Sequence, residues 1–222
     1  MGEDVLIRVR AVFEKKGRAK YISHLDLNRC MLRTFRRSGL PIWYTEGFNP
    51  HPYYSFALAL SLGYESGCEI LDFNLNENIP FDVIRDKLNA VMPEGMRVVS
   101  VAEQKMKITH IAKAEYSFSL FSENTSELLK DINELFESDQ ILVDKKTKKG
   151  IKTVDIKPET EVCKCEATEK SVDMIMRLPA GTQTNYNPNL FFEALVKHGC
   201  VPFTAEKICR TGIFCENNEI FS

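Results

Sequence analysis

The apolar positions of this chain change period several times, and each change predicts an element. Residues 5–13, VLIRVRAVF, alternate as a strand, with Val5, Ile7 and Val9 on one side and Arg8 and Arg10 on the other. Helical spacing follows from Ser23, with Leu27, Cys30, Met31, Leu32 and Phe35 on the apolar side. Ser23 stands where an N-cap belongs, and Asp26 three residues on fills the carboxylate half of a capping box. Gly39 and Pro41 close that helix. Beyond it, 40–44 reads as a short extended piece, the middle of the long connection (53–62) as a strand, and 68–75 as an alternating strand. Phe81, Ile84, Leu88 and Val91 mark a second helix ended by Pro93 and Gly95, and 96–102 returns to strand period.

That order, β-α-β-β-α-β, is the split βαβ pattern of a ferredoxin-like unit. After an expected linker at 105–113 the grammar restarts. A strand at 114–121 precedes a helix at 125–136 with Leu128, Leu129, Ile132, Leu135 and Phe136 inward. A short strand at 141–145 enters the lysine-rich loop KKTKKGIKTVDIKP, and 162–168 with 171–178 form a hairpin. Asn187-Pro188 opens the last helix as N-cap and N1, Gly199 ends it, and 206–214 is the closing strand. The expected fold is α+β: two tandem ferredoxin-like (βαββαβ) halves, 1–104 and 114–222, each an antiparallel sheet with helices on one face. A single larger sheet shared by both halves is the structural alternative.

Composition narrows the setting. The 222 residues suffice for one large domain or two small ones. The formal net charge is −2, so any basic cluster is a local asymmetry on an otherwise balanced protein. No apolar run is long enough to span a bilayer and no signal-peptide pattern opens the chain, so no membrane partner is expected. Seven scattered cysteines are read as reduced thiols of a cytoplasmic protein.

The basic cluster lies in the block KKGRAKYISHLDLNRCMLRTFRRSGLPIWYTEGFNPHP, residues 15–52. At 100° per residue, Arg29, Arg33, Arg36 and Arg37 share an arc about 100° wide on the first helix. Guanidinium groups suit paired planar contacts with phosphate or carboxylate, so the arc reads as an anion platform. A solvated face, or one paired with acids of the same chain, is the plainer reading. Lys148 and Lys149, in the lysine-rich loop, are expected to extend the phosphate track along a groove between the halves. Six aromatics crowd the block's end, and Tyr53 or Tyr54 is the expected stacking surface for unpaired bases. Two prolines bracket His51 in EGFNPHP; with His24, Asp26 and Glu46 it could serve acid–base or metal chemistry, or simply be structural. No spacing matches a known metal-ligand set, and Cys163 with Cys165, which share a face if on a strand, lack a zinc-type second pair. There is no Walker loop, GxGxxG, nucleophile elbow, HExxH or three-cysteine cluster motif, so no cofactor and no metal are expected.

SHLD, RRSGLP and GFNPHP, in register across 20–73, resemble the signature region of the radical-SAM-linked (radical-SAM-associated) proteins, a bacterial family of unknown function; TKKGIKTVDIKP is similar to a later element. Members occur alone or fused behind a radical SAM enzyme carrying a cobalamin-binding region. They often lie near genes for ribosomal proteins and an RNA-processing nuclease. The resemblance implies an accessory role on RNA, in the stand-alone form, and supplies no catalytic residues. The expectation is therefore an accessory RNA-binding module, for ribosomal or transfer RNA among other candidates, that presents nucleic acid to a radical SAM partner. Two alternatives stay open: a metal-independent RNA-cleaving or RNA-modifying enzyme using His24 and His51, and a protein–protein adaptor of the radical SAM enzyme.

Overall fold

The alternation at the start of the chain becomes β1 (Ile7–Lys15) in the computed structural model, which describes residues 6–147, 150–181 and 184–221. Val9, Ala11 and Phe13 are wholly buried on one side of it. A 3-10 turn, Gly17–Tyr21, leads into α1 (His24–Ser38). The helix starts where it does because the Ser23 hydroxyl accepts from the Asp26 N–H at 3.1 Å, which satisfies one otherwise orphaned donor. It ends at Gly39, whose φ of 64° lies in the left-handed region open to glycine. The remaining elements of the first half are β2 (Tyr54–Phe56), β3 (Glu65–Leu75), α2 (Phe81–Asn89) and β4 (Met96–Glu103).

The chain divides into two compact units. One runs to His110 and takes in Phe221; the other is Ile111–Ile220. In the first unit the strand order is β4-β1-β3-β2, every neighbouring pair antiparallel. Register places Val9 opposite Phe73 and Ala11 opposite Leu71, so the apolar residues of both strands share a face. Leu27, Met31 and Phe35 of α1, with Ile84 and Leu88 of α2, join Phe73, Leu71 and Phe13 in one core. Phe35 meets Phe73 at 5.1 Å and Tyr54 at 5.4 Å between ring centroids. Each such side chain contributes about 1.5–3 kcal/mol by leaving water. The other face of β1 and β3 is polar, yet not all of it is wet. Arg10 and Asp72, cross-strand partners, are buried together.

The second unit comprises β5 (Ile111–Phe121), α3 (Thr125–Glu137), β6 (Leu142–Thr147), β7 (Gly150–Asp155), β8 (Glu161–Ala167), β9 (Ser171–Pro179), α4 (Pro188–His198) and β10 (Thr204–Cys215). Its strand order is β10-β5-β9-β8, again antiparallel, with β6 and β7 as a separate two-stranded hairpin. Asn124 and Asn187 cap α3 and α4 through the backbone N–H groups of Glu127 and Asn189. Leu128, Ile132, Leu135, Phe118 and Phe191 are buried in its core, where Phe136 stacks on Phe191 at 5.5 Å. The fold is thus mixed α+β, with four α-helices and antiparallel sheet among the described residues. None of these helices is long and apolar enough to cross a membrane.

Three local expectations change. The strand expected within 53–62 pairs only over Tyr54–Phe56: once the Ala57 N–H has bonded to the Ile70 carbonyl, the chain leaves the ladder. Part of the lysine-rich loop is β7, held to β6 by a regular ladder and by the Thr153 hydroxyl on Asp144 at 2.7 Å. The expected linker is short, since Ile108–His110 forms a 3-10 turn and β5 begins at the next residue.

Candidate functional site

The arginine arc is built by the burial of its own helix. Because Leu27, Met31, Thr34, Phe35 and Ser38 face the core, Arg29, Arg33, Arg36 and Arg37 must face water, and all four are exposed. Arg29 alone has a carboxylate, Asp26 at 3.0 Å, in an exposed i,i+3 pair. The Ser23 hydroxyl, and after it the Arg29 guanidinium, hold the Asp26 carboxyl below its ordinary range. Arg37 donates from Nε to the Arg33 carbonyl at 3.4 Å. Among the described residues, no carboxylate lies within 4.0 Å of the Arg33, Arg36 or Arg37 nitrogens. Three guanidinium groups therefore stand on one anchored face with their charge unspent.

The loop 45–51 closes on itself. The Thr45 N–H donates to the His51 carbonyl at 2.9 Å, and Tyr53 and Trp43 continue the contact at 3.1 Å. His51 Nδ1 lies 3.1 Å from both the Asn49 carbonyl and the Thr45 hydroxyl. A carbonyl only accepts, so this geometry favours the Nδ1–H tautomer of an exposed ring. His24 packs instead edge-on to Phe56 at 5.5 Å. Among the described residues, no hydrogen bond or ring contact joins the two histidines, and no group of three or more His, Cys, Asp or Glu could hold a metal ion.

The neighbouring tyrosines separate. Tyr53 is 49% exposed and meets Trp43 edge-to-face, whereas Tyr54 turns inward and donates to the Asn28 carbonyl at 3.0 Å. Burial pushes the Tyr54 phenol upward in pKa. Lys148 and Lys149 lie outside the described residues; of their neighbours, Lys145 sits over the Tyr186 ring at 4.7 Å. All seven cysteines are free. A bulge between Val162 and Lys164 interrupts the alternation of β8, leaving Cys163 exposed and Cys165 half-buried.

The model of a family described as uncharacterized protein conserved in bacteria (DUF2344) matches residues 8–188. The chain belongs to DUF2344. Its match takes in the whole of α1, the closed loop and the β6–β7 hairpin, so in this DUF2344 member the candidate residues all lie within the family region. No curated protein matches the chain.

Two features of this DUF2344 chain escaped the sequence reading. Phe48, in the middle of the closed loop, is fully exposed, at 107% of the reference area, although Tyr53 or Tyr54 was the expected exposed ring of the six aromatics. The polar face of β1 and β3 was the other. Arg8 and Arg10 opposite Asn74 and Asp72 form a cross-strand set; the alternations in VLIRVRAVF and LDFNL each showed one side of it, and only the register joins them.

Proposed function

We propose that this chain is an accessory RNA-binding module that presents nucleic acid to a radical SAM partner enzyme. The observation that carries the reading is the exposure of Arg33, Arg36 and Arg37 on one helix face with no carboxylate of the described chain within ion-pair reach. Such a face costs electrostatic self-repulsion, which a phosphate backbone relieves. The strand orders β4-β1-β3-β2 and β10-β5-β9-β8 support reading each unit as ferredoxin-like, with β6–β7 an insertion in the second. A sheet of that kind is a frequent RNA scaffold, an argument by analogy of fold. The radical SAM partner rests on the resemblance of SHLD, RRSGLP and GFNPHP alone.

Filter binding of single-stranded RNA against KCl concentration tests the module. Three or four phosphate contacts give a slope of log K on log salt of about −2 to −3. The triple reversal R33E/R36E/R37E, at exposed positions, should keep the circular dichroism of the parent and flatten the slope. Absence of binding at low salt, or an unchanged slope in the reversed protein, refutes the reading. Co-purification that survives nuclease treatment and is lost in the reversed protein would give the face to an acidic protein instead.

A further inference from the structure

The polar face of the first unit's sheet holds a cleft of about 540 Å³, a volume within the range of small-ligand sites. Strand alternation places it opposite the face that α1 and α2 cover, so it is separate from the arginine arc. Its floor is fixed. Asp72 accepts from Arg10 Nε at 2.7 Å, from Arg10 Nη2 at 2.8 Å and from Gln104 at 2.8 Å, so its charge is already taken up. One wall is aromatic: Trp43 and Tyr53 meet edge-to-face at 5.6 Å, and the Trp43 N–H donates to the Asn74 carbonyl at 2.8 Å.

What remains around that floor is unused chemistry. Asn74 is only 6% exposed and lines the cleft, yet among the described residues its side-chain amide makes no hydrogen bond. The amide atoms are not sealed from solvent, so they meet water in the cleft and a ligand can take that water's place. The amide offers one acceptor and two donors, the pattern that pairs with the edge of a heterocyclic base. Ser55, cross-strand partner of Asp72, adds a hydroxyl at the same face. Arg8 and Lys107 also line the cleft, and no carboxylate of the described chain lies within 4.0 Å of their nitrogens.

We infer that this cleft binds a single unpaired nucleotide: the base against Trp43 and Tyr53, its edge read by Asn74 and Ser55, its phosphate held by Arg8 and Lys107. The nucleotide is either free or one residue of a strand. The site does not rest on the arginine face, and either can exist without the other.

Trp43 is the only tryptophan, so its fluorescence reports occupancy directly. The full chain is titrated with the four nucleoside 5′-monophosphates, with ribose 5-phosphate, and with a short single-stranded oligoribonucleotide. We expect saturable change with at least one monophosphate and binding at least tenfold weaker for ribose 5-phosphate. Asn74→Ala and the surface variant Lys107→Glu should each weaken that binding about tenfold or more; the second keeps the test valid if the first fails to fold. R33E/R36E/R37E should leave it unchanged. In R33E/R36E/R37E, tighter binding of the oligonucleotide than of the monophosphate assigns the site to a strand, and equal binding assigns it to the free nucleotide. The inference is overturned by no saturable change with any of these probes, by ribose 5-phosphate binding as tightly as the monophosphates, by full affinity in Lys107→Glu, or by loss of monophosphate binding in the arginine variant.

Discussion

Replacing Asp72 by alanine should cost the first unit more than almost any other single change, and the reason can be worked through. The carboxylate side chain is 6% exposed and its guanidinium partner 2%. Three donors converge on it, two from Arg10 and one from Gln104, all between 2.7 and 2.8 Å. Without it the Arg10 cation keeps the Met106 carbonyl at 2.8 Å and the Phe221 ring at 4.3 Å, but loses both of its bonds to the Asp72 carboxylate. Removing one member of a buried pair costs about 3–5 kcal/mol. With a urea m-value of about 2 kcal/mol/M, the midpoint should fall by about 1.5–2.5 M. Trp43 lies in this unit, so its emission follows the relevant transition. The companion Arg10→Met/Asp72→Leu protein should recover most of the loss, because apolar residues of similar volume leave no charge behind. A midpoint shift below about 0.5 M in Asp72→Ala, or a double variant as unstable as the sum of the single ones, would refute the argument.

Two further outcomes follow from local geometry. Gly95→Ala should destabilise the first unit by at least about 2 kcal/mol in the same urea assay, with a loss under about 0.5 kcal/mol counting against it; φ there is +82°, and the added Cβ would sit 2.5 Å from the Lys16 carbonyl oxygen and 3.0 Å from Ala19 Cβ. The Cys200 thiol is pushed up to about 11 by burial and then by the Asp131 carboxylate. Its thiolate therefore forms only as the pH rises toward that value, and at pH 8 it is about a hundredfold scarcer than for an ordinary thiol. Higher intrinsic nucleophilicity returns about tenfold, so iodoacetamide should label Cys200 about tenfold more slowly in the native than in the unfolded protein. Equal rates by peptide mass spectrometry would contradict this.

What could be read from residues alone was what short-range physics controls. Ser23, Asp26, Gly39 and Pro41 bound α1 because cap and turn chemistry act within four residues, and the buried stripe then fixes where the arginines go. Register was out of reach. Tyr53 and Tyr54 are equivalent in the sequence; only the pairing of Tyr54 with Phe73 decides which ring enters the core. Arg10 and Asp72 stand 62 residues apart, and no local rule joins them. The second strand of the lysine hairpin was hidden because its charges obscured the short alternation in IKTVD. The β8 bulge was likewise invisible, and it separates the fates of Cys163 and Cys165.

Phe221 counts with the first unit although more than a hundred residues of the second lie between it and His110. In chain order the second unit is thus nested inside the first. Anyone dissecting the protein meets a practical result: a fragment stopped at residue 110 loses the aromatic lid over Arg10, and its stability would mislead about the intact molecule. A faithful excision would remove 111–220 and leave Phe221 attached to the first unit.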